Sequence, residues 1–585
     1  MYNIDPILAT DFYKVHHKFQ YNKLTELIYS NFTPRSSRLA PQYNGKSINK
    51  VVNFGLQAFI KWFLIDTFNE HFFKKDINEI KQKYARICGV DTTHIEALHT
   101  LGYLPLQIKA LPEGELVPMK VPMFTVQNTH PNFYWLVNYL ETTFSDEVWK
   151  ASTIATIAFE YRKLLEFYAK MTGSPKDFVL WQGHDFSMRG MSGMHDAAIN
   201  GSGHLSSFTG TDTISAIDHI EKFYRGTETF VGASVPASEH STASANILYN
   251  ARRLEEQGFT GDVMQEAERQ FLKWYITELY PTGVASYVSD TYDFFQVIDV
   301  IAPSLKTEIM SRQPDALGLN KVVFRPDSGD PVEVLCGIET HMAVSEEEAE
   351  DMAKEMFYDE TEHGEYGPES MEYIFRINDK YKKVTVTPFW NRHDKQYYYV
   401  DGWEETKFED VQLTPEQKGA VEVLWDHFGG TITETGHKLL DCHVGLIYGD
   451  SITLERADNI MRRLAEKGFA SGNVVFGIGS FTYQYMTRDT FGFAMKATCQ
   501  IVDGEVIELY KDPKTDNGTK KSAKGFLRVD KVDGKYVLRD NVSMEEEMQG
   551  ELRTVFLNGK LTVDDGIATI RSRVEANLVE EMKKY

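Results

Sequence analysis

Cysteine is scarce in this sequence. Its 585 residues include four cysteines, at positions 88, 336, 442 and 499, and no two of them form a Cys-x-x-Cys pair. Closely spaced cysteines are typical of disulfide frameworks and of structural zinc sites, so this spacing argues against both. Few and scattered thiols are typical of a reducing compartment, and we therefore expect a cytoplasmic protein.

Long apolar runs are also missing. No segment approaches the roughly 18 consecutive apolar residues that indicate a membrane span. The N-terminal stretch carries Asp5, Asp11 and Lys14, which interrupt the apolar core that a signal peptide requires. The sequence predicts neither a membrane span nor a signal peptide.

Basic residues are fewer than acidic ones: the chain has 62 lysines and arginines and 85 aspartates and glutamates, which gives a net charge of −23. Such an acidic chain repels nucleic acid and anionic membranes, so neither is an expected partner. Charges are screened over about 8 Å at physiological salt, which means that a local basic cluster can still bind an anionic substrate.

Apolar material is plentiful, because 42% of the residues are hydrophobic. A chain of this length exceeds the usual size of one core, so at least two structural units are expected. Residues 1–150 together with 500–585 have the mixed pattern of an α+β domain. Residues 336–428 are rich in Glu, Tyr and Trp and are interpreted as an insertion built of hairpins and helices.

The remaining segments, 151–335 and 440–499, repeat one design. Apolar runs end abruptly in loops of Gly, Asp and Ser and lead into helical patterns; the runs are FVLWQGHDF, SYVSDTYD, KVVFRPDSG, HVGLIYGDS and VVFGIGS. Buried strands that each end in a polar loop are typical of a parallel α/β barrel. In that architecture the functional residues collect at the carboxyl ends of the strands.

The loop GHDFSMRG sets Phe186 beside His184 and Asp185. A phenylalanine is usually a core residue, but an aromatic face in such a loop can also stack on a flat ring of a ligand. The His-Asp pair has a second interpretation, the metal site of a His-Asp phosphohydrolase. That class sets the pair within helices, whereas an apolar strand is predicted before it here. A second pair, His195-Asp196, has no wider ligand pattern around it.

The turn FTGTDT contains Asp212. One interpretation is an aspartate that caps the turn. The other is a ligand site, because a carboxylate accepts hydrogen bonds and donates none. Such a site would bind the NH₂ of an amide and repel a ligand carboxylate.

Three more loops carry aspartates: Asp290 in VSDTYD, Asp327 in VVFRPDSGDP and Asp450 in IYGDS. Pro-Asp-Ser-Gly by itself is a common turn. Arg325 precedes that turn, however, and its guanidinium fork suits a phosphate. The three aspartates can bind ribose hydroxyls or hold Mg²⁺, which is usually bound by few protein carboxylates together with substrate phosphates.

The segment VVFGIGSFTYQYMTRD is predicted to be a strand, a glycine loop and a helix. Gly479 and Ser480 would let backbone N–H groups approach a phosphate. The loop lacks the Walker and dinucleotide patterns, so taken alone it is a weak signal. Arg488 and Lys496 follow it, where a solvent-exposed surface role is the alternative.

In chain order, these motifs resemble those of the nicotinamide phosphoribosyltransferase family, with a match over nearly the whole chain outside residues 336–428. The matching motifs are ATDFYKVHH, FTPR, HDFSMRG, GTDT, SVPASEHST, SDTYD, RPDSGDP, YGDS, FGIGS, TRD and KDP. The resemblance implies an α/β, barrel-like type II phosphoribosyltransferase fold with an additional α+β domain and an inserted subdomain. It also implies a homodimer with shared active sites. The implied reaction moves phosphoribosyl from phosphoribosyl pyrophosphate to nicotinamide with Mg²⁺, forming nicotinamide mononucleotide and pyrophosphate.

The resemblance further implies roles for individual residues. The pyridine ring would lie between Phe186 and the partner subunit's Tyr13, and Asp212 would bind its carboxamide. Other residues near the acceptor and the phosphoribosyl group would be Arg189, Ser234, Val235, Ser286 and Arg325. The ribose and Mg²⁺-pyrophosphate end would hold Asp327 and Asp450. Phosphate contacts would come from Arg35, Gly479, Ser480, Arg488, Lys496, Lys511 and Lys520.

The stretch ASVPASEHSTAS places His240 among small residues. In the resembling family the matching histidine is phosphorylated by ATP, whose hydrolysis enhances turnover. A neutral imidazole is a competent phosphoryl acceptor, and the carboxylate of Asp290 can orient it. His240, Asp290 and Asp327 are therefore the expected catalytic residues, with ATP as phosphoryl donor; a capping or core histidine is the alternative.

Three competing functions remain open at this point. A nicotinate phosphoribosyltransferase would need a cation or a neutral donor where Asp212 stands. A His-Asp metal phosphohydrolase would bind a transition metal and release phosphate without a pyridine acceptor. An enzymatically silent nucleotide-binding protein would keep the stacking residue but have no use for His240, Asp290 and Asp327.

Overall fold

The computed structural model describes residues 5–43, 45–361, 368–378, 380–393, 397–449, 451–510 and 523–584. The chain divides into two compact units. Unit 1 comprises Met1–Leu164, Gly183–Ser234 and Ile478–Tyr585, and unit 2 comprises Leu165–Gln182 and Val235–Gly477. The three domain ranges expected from the sequence stay a prediction.

Unit 1 is built on a seven-stranded antiparallel sheet. From edge to edge its strands are Glu505–Glu508, Ala494–Val502, Thr25–Thr33, Phe124–Asn128, Leu106–Ala110, Arg553–Leu557 and Lys560–Leu561. On the third of these, Phe32 stacks on Phe124 and Phe493, with ring centroids 4.9 and 5.4 Å apart. Aromatic packing of this kind buries most of that strand.

The other strands of unit 1 form pairs. Three pairs are antiparallel and one is parallel: Gln42–Tyr43 with Lys46–Ser47, Lys50–Val52 with Leu116–Pro118, Phe526–Val532 with Lys535–Val542, and in parallel Gly183–Asp185 with Gly210–Thr211. The longer helices are Ile77–Cys88, Thr93–Leu101, Glu141–Thr172 as far as Leu164, Met194–His204, Ile214–Phe223 and Ile567–Met582. An α-helical turn, Leu56–Phe59, continues as a π-helix, Ile60–Thr67.

Unit 2 contains parallel strands that are neighbours in chain order: Ala285–Val288, Val322–Arg325, Val444–Tyr448 and Val474–Ile478. Its longer helices are His240–Glu256, Val263–Trp274, Glu346–Thr361, Ala420–Phe428 and Leu454–Glu466. Four of the five apolar runs that predicted barrel strands are thereby confirmed as parallel strands.

The fifth run, FVLWQGHDF, also contains a parallel strand, but the strand is shorter and begins later than expected. Residues Val179–Gln182 form a helical turn, and the strand Gly183–Asp185 begins only after it. The side-chain NH₂ of Gln182 donates to Ser471 O and Val474 O at 2.7 and 3.0 Å, so both carbonyl partners of this buried NH₂ come from the chain near residue 472. A short apolar run does not distinguish a buried helix from a buried strand.

The segment interpreted as an insertion has its own sheet and core. Its four-stranded sheet runs in the order His341–Ala343, Met371–Ile377, Lys380–Val386 and Lys407–Asp410, and a hairpin of Pro388–His393 and Tyr397–Trp403 follows the third strand in the chain. Phe357 of the helix Glu346–Thr361 is fully buried and lies in one apolar cluster with Phe375 and Val384 of the sheet. An independent core of this kind is a property of a subdomain.

Two glycines bring the start of this segment next to a position near its end. Gly337 and Gly419 both have positive φ, 73° and 83°. A Cβ built on Gly419 would lie 2.2 Å from Gly337 N, and one built on Gly337 would lie 2.1 Å from Gln417 O. The two backbone positions are therefore in direct contact, and only glycine allows both the approach and the left-handed conformation.

Membrane-spanning segments were sought among the helices of the described residues. None of them combines the length and the apolarity that crossing a bilayer requires.

A buried carboxyl group in unit 2 predicts a pH effect. Glu268 is 2% exposed; burial raises its pKa to about 7, although Tyr287 donates a hydrogen bond to it at 2.9 Å. A carboxyl group with a raised folded pKa holds its proton longer when folded, so stability falls as pH rises from about 4.5 to about 7. We expect Glu268→Gln to gain stability over the wild type by on the order of 3 kcal/mol between these limits. Urea unfolding of both proteins at pH 5 and pH 8 measures the gain, and an equal difference at both pH values would contradict it.

Candidate active site

Two parallel strands of unit 1 bring the predicted acceptor-binding residues together. Gly183–Asp185 and Gly210–Thr211 pair in register, and Asp212 directly follows the second strand. The Nε2 atom of His184 lies 2.9 Å from Asp212 Oδ1. The hydroxyl of Ser234 hydrogen-bonds to the same carboxylate oxygen. Asp212 is therefore a carboxylate held by two donors, and 45% of its side chain is exposed.

Phe186 lies on the loop that leaves the first of these strands. Its N–H donates to Ile478 O at 3.0 Å, and its ring centroid is 4.7 Å from that of His184. The residue is half-buried, which differs from a fully packed core phenylalanine. An aromatic side chain fixed beside an anchored carboxylate is the arrangement that the stacking interpretation requires.

The turn that carries Arg189 lies against the glycine loop that was predicted to bind a phosphate, and both are in unit 1. A Cβ built on Gly190 would be 2.0 Å from Ser480 Oγ, so the turn that carries Arg189 packs on Ser480. Arg189 is exposed on this turn. Gly479 is in extended backbone before the short helix Ser480–Tyr483. The structure thus places Arg189 in the neighbourhood of the glycine loop.

Arg35 and Arg488 form a second basic group in unit 1. Arg35 Nε donates to Gly492 O at 2.8 Å. Burial, and then the positive charge of Arg488, lower the pKa of Arg35. Two neighbouring guanidiniums repel each other, and an anion bound between them would relieve that repulsion. Lys496, on the strand Ala494–Val502, and Tyr13 are both exposed.

The second His-Asp pair is used for a different purpose. Lys150 Nζ lies 2.9 and 2.8 Å from the two carboxylate oxygens of Asp196 and 2.5 Å from Gln484 Oε1. The N–H of Ser192 donates to Asp196 at 2.8 Å. An ammonium group already balances this carboxylate, which argues against a metal ion there. The network joins the turn that carries Ser192 to the chain that follows the glycine loop.

In unit 2, His240 is the first residue of the helix His240–Glu256. Its ring is 48% exposed; Nε2 lies 3.6 Å from Asp290 Oδ1 and 3.9 Å from Asp327 Oδ2, and Nδ1 lies 3.4 Å from Thr291 Oγ1. The helix N-terminus carries partial positive charge and favours an anionic group. An exposed imidazole at this position, facing two carboxylates, is not a packed core histidine.

Asp290 anchors this cluster. Its Oδ2 accepts hydrogen bonds from the N–H of Asp327 at 2.9 Å and from the hydroxyl of Ser328 at 2.7 Å. Its Oδ1 is buried and has no hydrogen-bond partner among the residues that the structure describes. A Cβ built on Gly449 would lie 2.8 Å from Asp327 Oδ1, so the loop that precedes position 450 reaches the same cluster.

The backbone before His240 is fixed to the strands of unit 2. Ser238 O accepts from Arg325 Nη2, and Ser238 Oγ accepts from the N–H of Val288, both at 2.8 Å. The N–H of Ser286 donates to Pro236 O at 2.9 Å. Arg325 therefore braces the loop of the expected catalytic histidine, whatever else it binds.

Several residues of these clusters were missed by sequence reasoning. These residues are Lys150, Ser238, Thr291 and Ser328, whose partners are distant in the chain. Ser238, Thr291 and Ser328 lie inside the motifs SVPASEHST, SDTYD and RPDSGDP, where their hydroxyls were readable donors, whereas Lys150 lies in no motif. Val235 is half-buried at the start of its loop. The predicted residues Asp450, Lys511 and Lys520 lie outside the described part of the chain.

Comparison with known proteins places this geometry in a family. The model of the nicotinate phosphoribosyltransferase (NAPRTase) family matches residues 181–560, and that of the nicotinamide phosphoribosyltransferase N-terminal domain matches residues 5–108. A nicotinamide phosphoribosyltransferase of Acinetobacter baylyi is 46% identical over 99% of this chain and 98% of its own length. The chain belongs to the nicotinamide phosphoribosyltransferase family. The family resemblance predicted from the motifs is confirmed, and so is an α/β, barrel-like type II phosphoribosyltransferase fold.

More distant relatives of this phosphoribosyltransferase have similar lengths. Nicotinamide phosphoribosyltransferases of Mycoplasma genitalium and Xanthomonas campestris are 28% and 27% identical, over 90% and 97% of this chain and 95% and 98% of theirs. Because the chain belongs to this family, it is an enzyme. Two of the competing functions, the enzymatically silent nucleotide-binding protein and the His-Asp metal phosphohydrolase, are thereby excluded.

Proposed function

We propose that this enzyme transfers the phosphoribosyl group of phosphoribosyl pyrophosphate to nicotinamide, forming nicotinamide mononucleotide and pyrophosphate. The observation that carries the proposal is the Asp212 carboxylate, held by His184 and Ser234 on one side of the Phe186 loop. An ionised carboxylate accepts the hydrogen bonds of a carboxamide NH₂ and repels the carboxylate of nicotinic acid. The relatives named for nicotinamide support the same choice.

The chemistry requires little of the protein beyond positioning and charge. As pyrophosphate leaves, the anomeric carbon gains oxocarbenium character and the pyridine nitrogen attacks it. Phe186 would hold the acceptor ring flat. Arg35 and Arg488 would neutralise the phosphates, Ser480 would donate a hydrogen bond to a phosphate, and Arg189 would lie near the phosphoribosyl group. Preorganised groups of this kind lower the barrier because they need no rearrangement during the reaction.

A phosphorylated His240 is the second part of the proposal. ATP would donate its γ-phosphoryl group to a neutral nitrogen of His240, and hydrolysis of the phosphohistidine would enhance turnover. The position of His240 at the start of a helix of 17 residues supports this, because the positive end of the helix dipole stabilises an added anion. Asp290, 3.6 Å from the ring, would orient it.

Mg²⁺ is the third part of the proposal. Two carboxylates that face His240 would repel a phosphoryl group unless a cation balances them, and Asp290 Oδ1 is a buried oxygen without a hydrogen-bond partner in the described residues. A site with few protein oxygen ligands suits Mg²⁺, because substrate phosphates usually supply further ligands to this ion. Asp327 and Asp450 would hold it, and bound Mg²⁺ would supply charge neutralisation of the pyrophosphate.

A homodimer and a cytoplasmic location complete the proposal. Tyr13 is 58% exposed at the start of the chain, as a residue that closes a second subunit's site would be. All four cysteines are free thiols, which suits a reducing compartment.

The first experiment measures pyrophosphate release from phosphoribosyl pyrophosphate and Mg²⁺, with nicotinamide and nicotinic acid as separate acceptors. We expect release with nicotinamide, stimulation by ATP, and no stimulation in His240→Ala. Release with nicotinic acid instead would favour a nicotinate phosphoribosyltransferase, for which the matching NAPRTase family model is the specific argument. Stimulation by ATP that persists in His240→Ala would overturn the phosphohistidine.

A further inference from the structure

His184 links the two residues on which the acceptor proposal depends, and all three lie in unit 1. Its side chain is buried, with 10% exposed. Its ring packs against Phe186 at a centroid distance of 4.7 Å, and Nε2 lies 2.9 Å from Asp212 Oδ1. The space for the ring comes from Gly210 on the neighbouring strand, where a Cβ would lie 2.7 Å from His184 Nδ1.

The tautomer of His184 follows from its partner. An ionised carboxylate offers only acceptors, so a hydrogen bond of 2.9 Å to Asp212 requires a proton on Nε2. Ser234 Oγ, bonded to the same carboxylate oxygen, lies 3.3 Å from Nε2. Two donors that converge on one oxygen favour the ionised form of a carboxyl group and fix its plane.

We infer that His184 is a positioning residue that sets acceptor selectivity, because its Nε2–H orients the Asp212 carboxylate for a carboxamide. The inference rests on the proposed function and adds to it a residue that no acceptor atom needs to touch. Loss of the donor would allow the Asp212 carboxylate to rotate, so that it would no longer present an acceptor oxygen to the carboxamide NH₂. The preference for nicotinamide over nicotinic acid would then fall.

Three substitutions separate the donor from the ring. Glutamine can present an N–H near the position of Nε2, phenylalanine keeps a ring against Phe186 without a donor, and asparagine reaches only the position of Nδ1. We expect His184→Phe and His184→Asn to raise KM for nicotinamide by about 10- to 100-fold and to change kcat less. His184→Gln should stay within about 3-fold of the wild-type KM. The ratio of kcat/KM for nicotinamide to kcat/KM for nicotinic acid should fall in His184→Phe and His184→Asn but not in His184→Gln.

A double-mutant cycle tests the link to Asp212. In the Asp212→Asn background, His184→Phe should have less than about a 3-fold effect on KM, because the carboxylate that it orients is gone. His99→Gln, on the helix Thr93–Leu101, serves as a matched control for a histidine away from this cluster.

The outcomes are distinguishable. A wild-type enzyme that does not use nicotinamide refutes the proposed function itself. If the wild type uses nicotinamide but His184→Gln loses as much as His184→Phe, or the loss persists in Asp212→Asn, the role of His184 is refuted. Circular dichroism and thermal unfolding of each variant show whether it is folded, and a folded His184→Asn tests the inference if another variant is not.

Discussion

Lys467→Met is expected to lower the local stability around the helix Ala420–Phe428 by about 3–5 kcal/mol. Lys467 and Glu422 are each 4% exposed, with Nζ and Oε2 2.9 Å apart. The hydroxyl of Tyr381 also donates to Glu422, at 2.6 Å. Burial alone would raise the pKa of Glu422, but Lys467 and then Tyr381 outweigh it and hold that pKa below its usual range. Removing the ammonium leaves the buried carboxylate with the more distant guanidinium of Arg376, whose Nη1 lies 4.0 Å from Oε1.

Hydrogen exchange measured by mass spectrometry reports this effect locally. Peptides from Ala420–Phe428 should exchange at least about 100-fold faster in Lys467→Met. The matched control is Lys418→Met, which removes a half-exposed pair with Asp426 at 2.7 Å and should lower the stability by no more than about 1 kcal/mol. Replacing Glu422 and Lys467 together by Leu and Met should restore most of the protection. Equal exchange in Lys467→Met and Lys418→Met would contradict the argument.

Asp290→Asn is expected to reduce kcat/KM by about 100-fold. The wild-type carboxylate holds the N–H of Asp327 and the hydroxyl of Ser328 on one oxygen and faces His240 with the other. Asparagine has one carbonyl oxygen to accept these hydrogen bonds, and its NH₂ cannot accept any. The loop of Asp327 and the ring of His240 would both shift, and a shift of about 1 Å in a reacting geometry is enough for such a loss.

Initial rates of pyrophosphate release, with and without ATP, measure the effect of Asp290→Asn. Ser328→Ala removes one of the two hydrogen bonds and should give a smaller loss. Asp293→Asn is the control, because Asp293 caps the short helix Phe294–Gln296 three residues further along the same loop. Activity of Asp290→Asn within about 3-fold of the wild type would refute the anchoring role.

The barrel strands could be predicted because their physical signal is local. A run such as KVVFR is apolar while it is buried on both faces, and it turns polar where the strand ends. The helical start of FVLWQ could not be predicted, because a run of four residues is too short to show a period that separates helix from strand. Gln182 decides it through bonds to Ser471 and Val474, which lie almost 300 positions later.

The candidate site shows the same division. Asp212 could be chosen from its residue type and its turn, since only its own chemistry was needed. His184, which donates to Asp212, was considered only as part of a His-Asp pair. Its hydrogen bond to Asp212 could not be predicted, because it depends on the register of two short parallel strands. Lys150 had no signal, since it lies within a helix of 32 residues and meets Asp196 only after folding.

The contact between Gly337 and Gly419 has a consequence for how this chain could have arisen. Segment 338–418 begins and ends at neighbouring backbone positions, and it has an apolar core of its own. A piece with adjacent ends can be gained or lost in one genetic event without changing the register of the parallel strands before and after it. A gain or loss of this segment would still have to leave the buried Glu422 a hydrogen-bond donor, because Tyr381 donates to it from inside the segment.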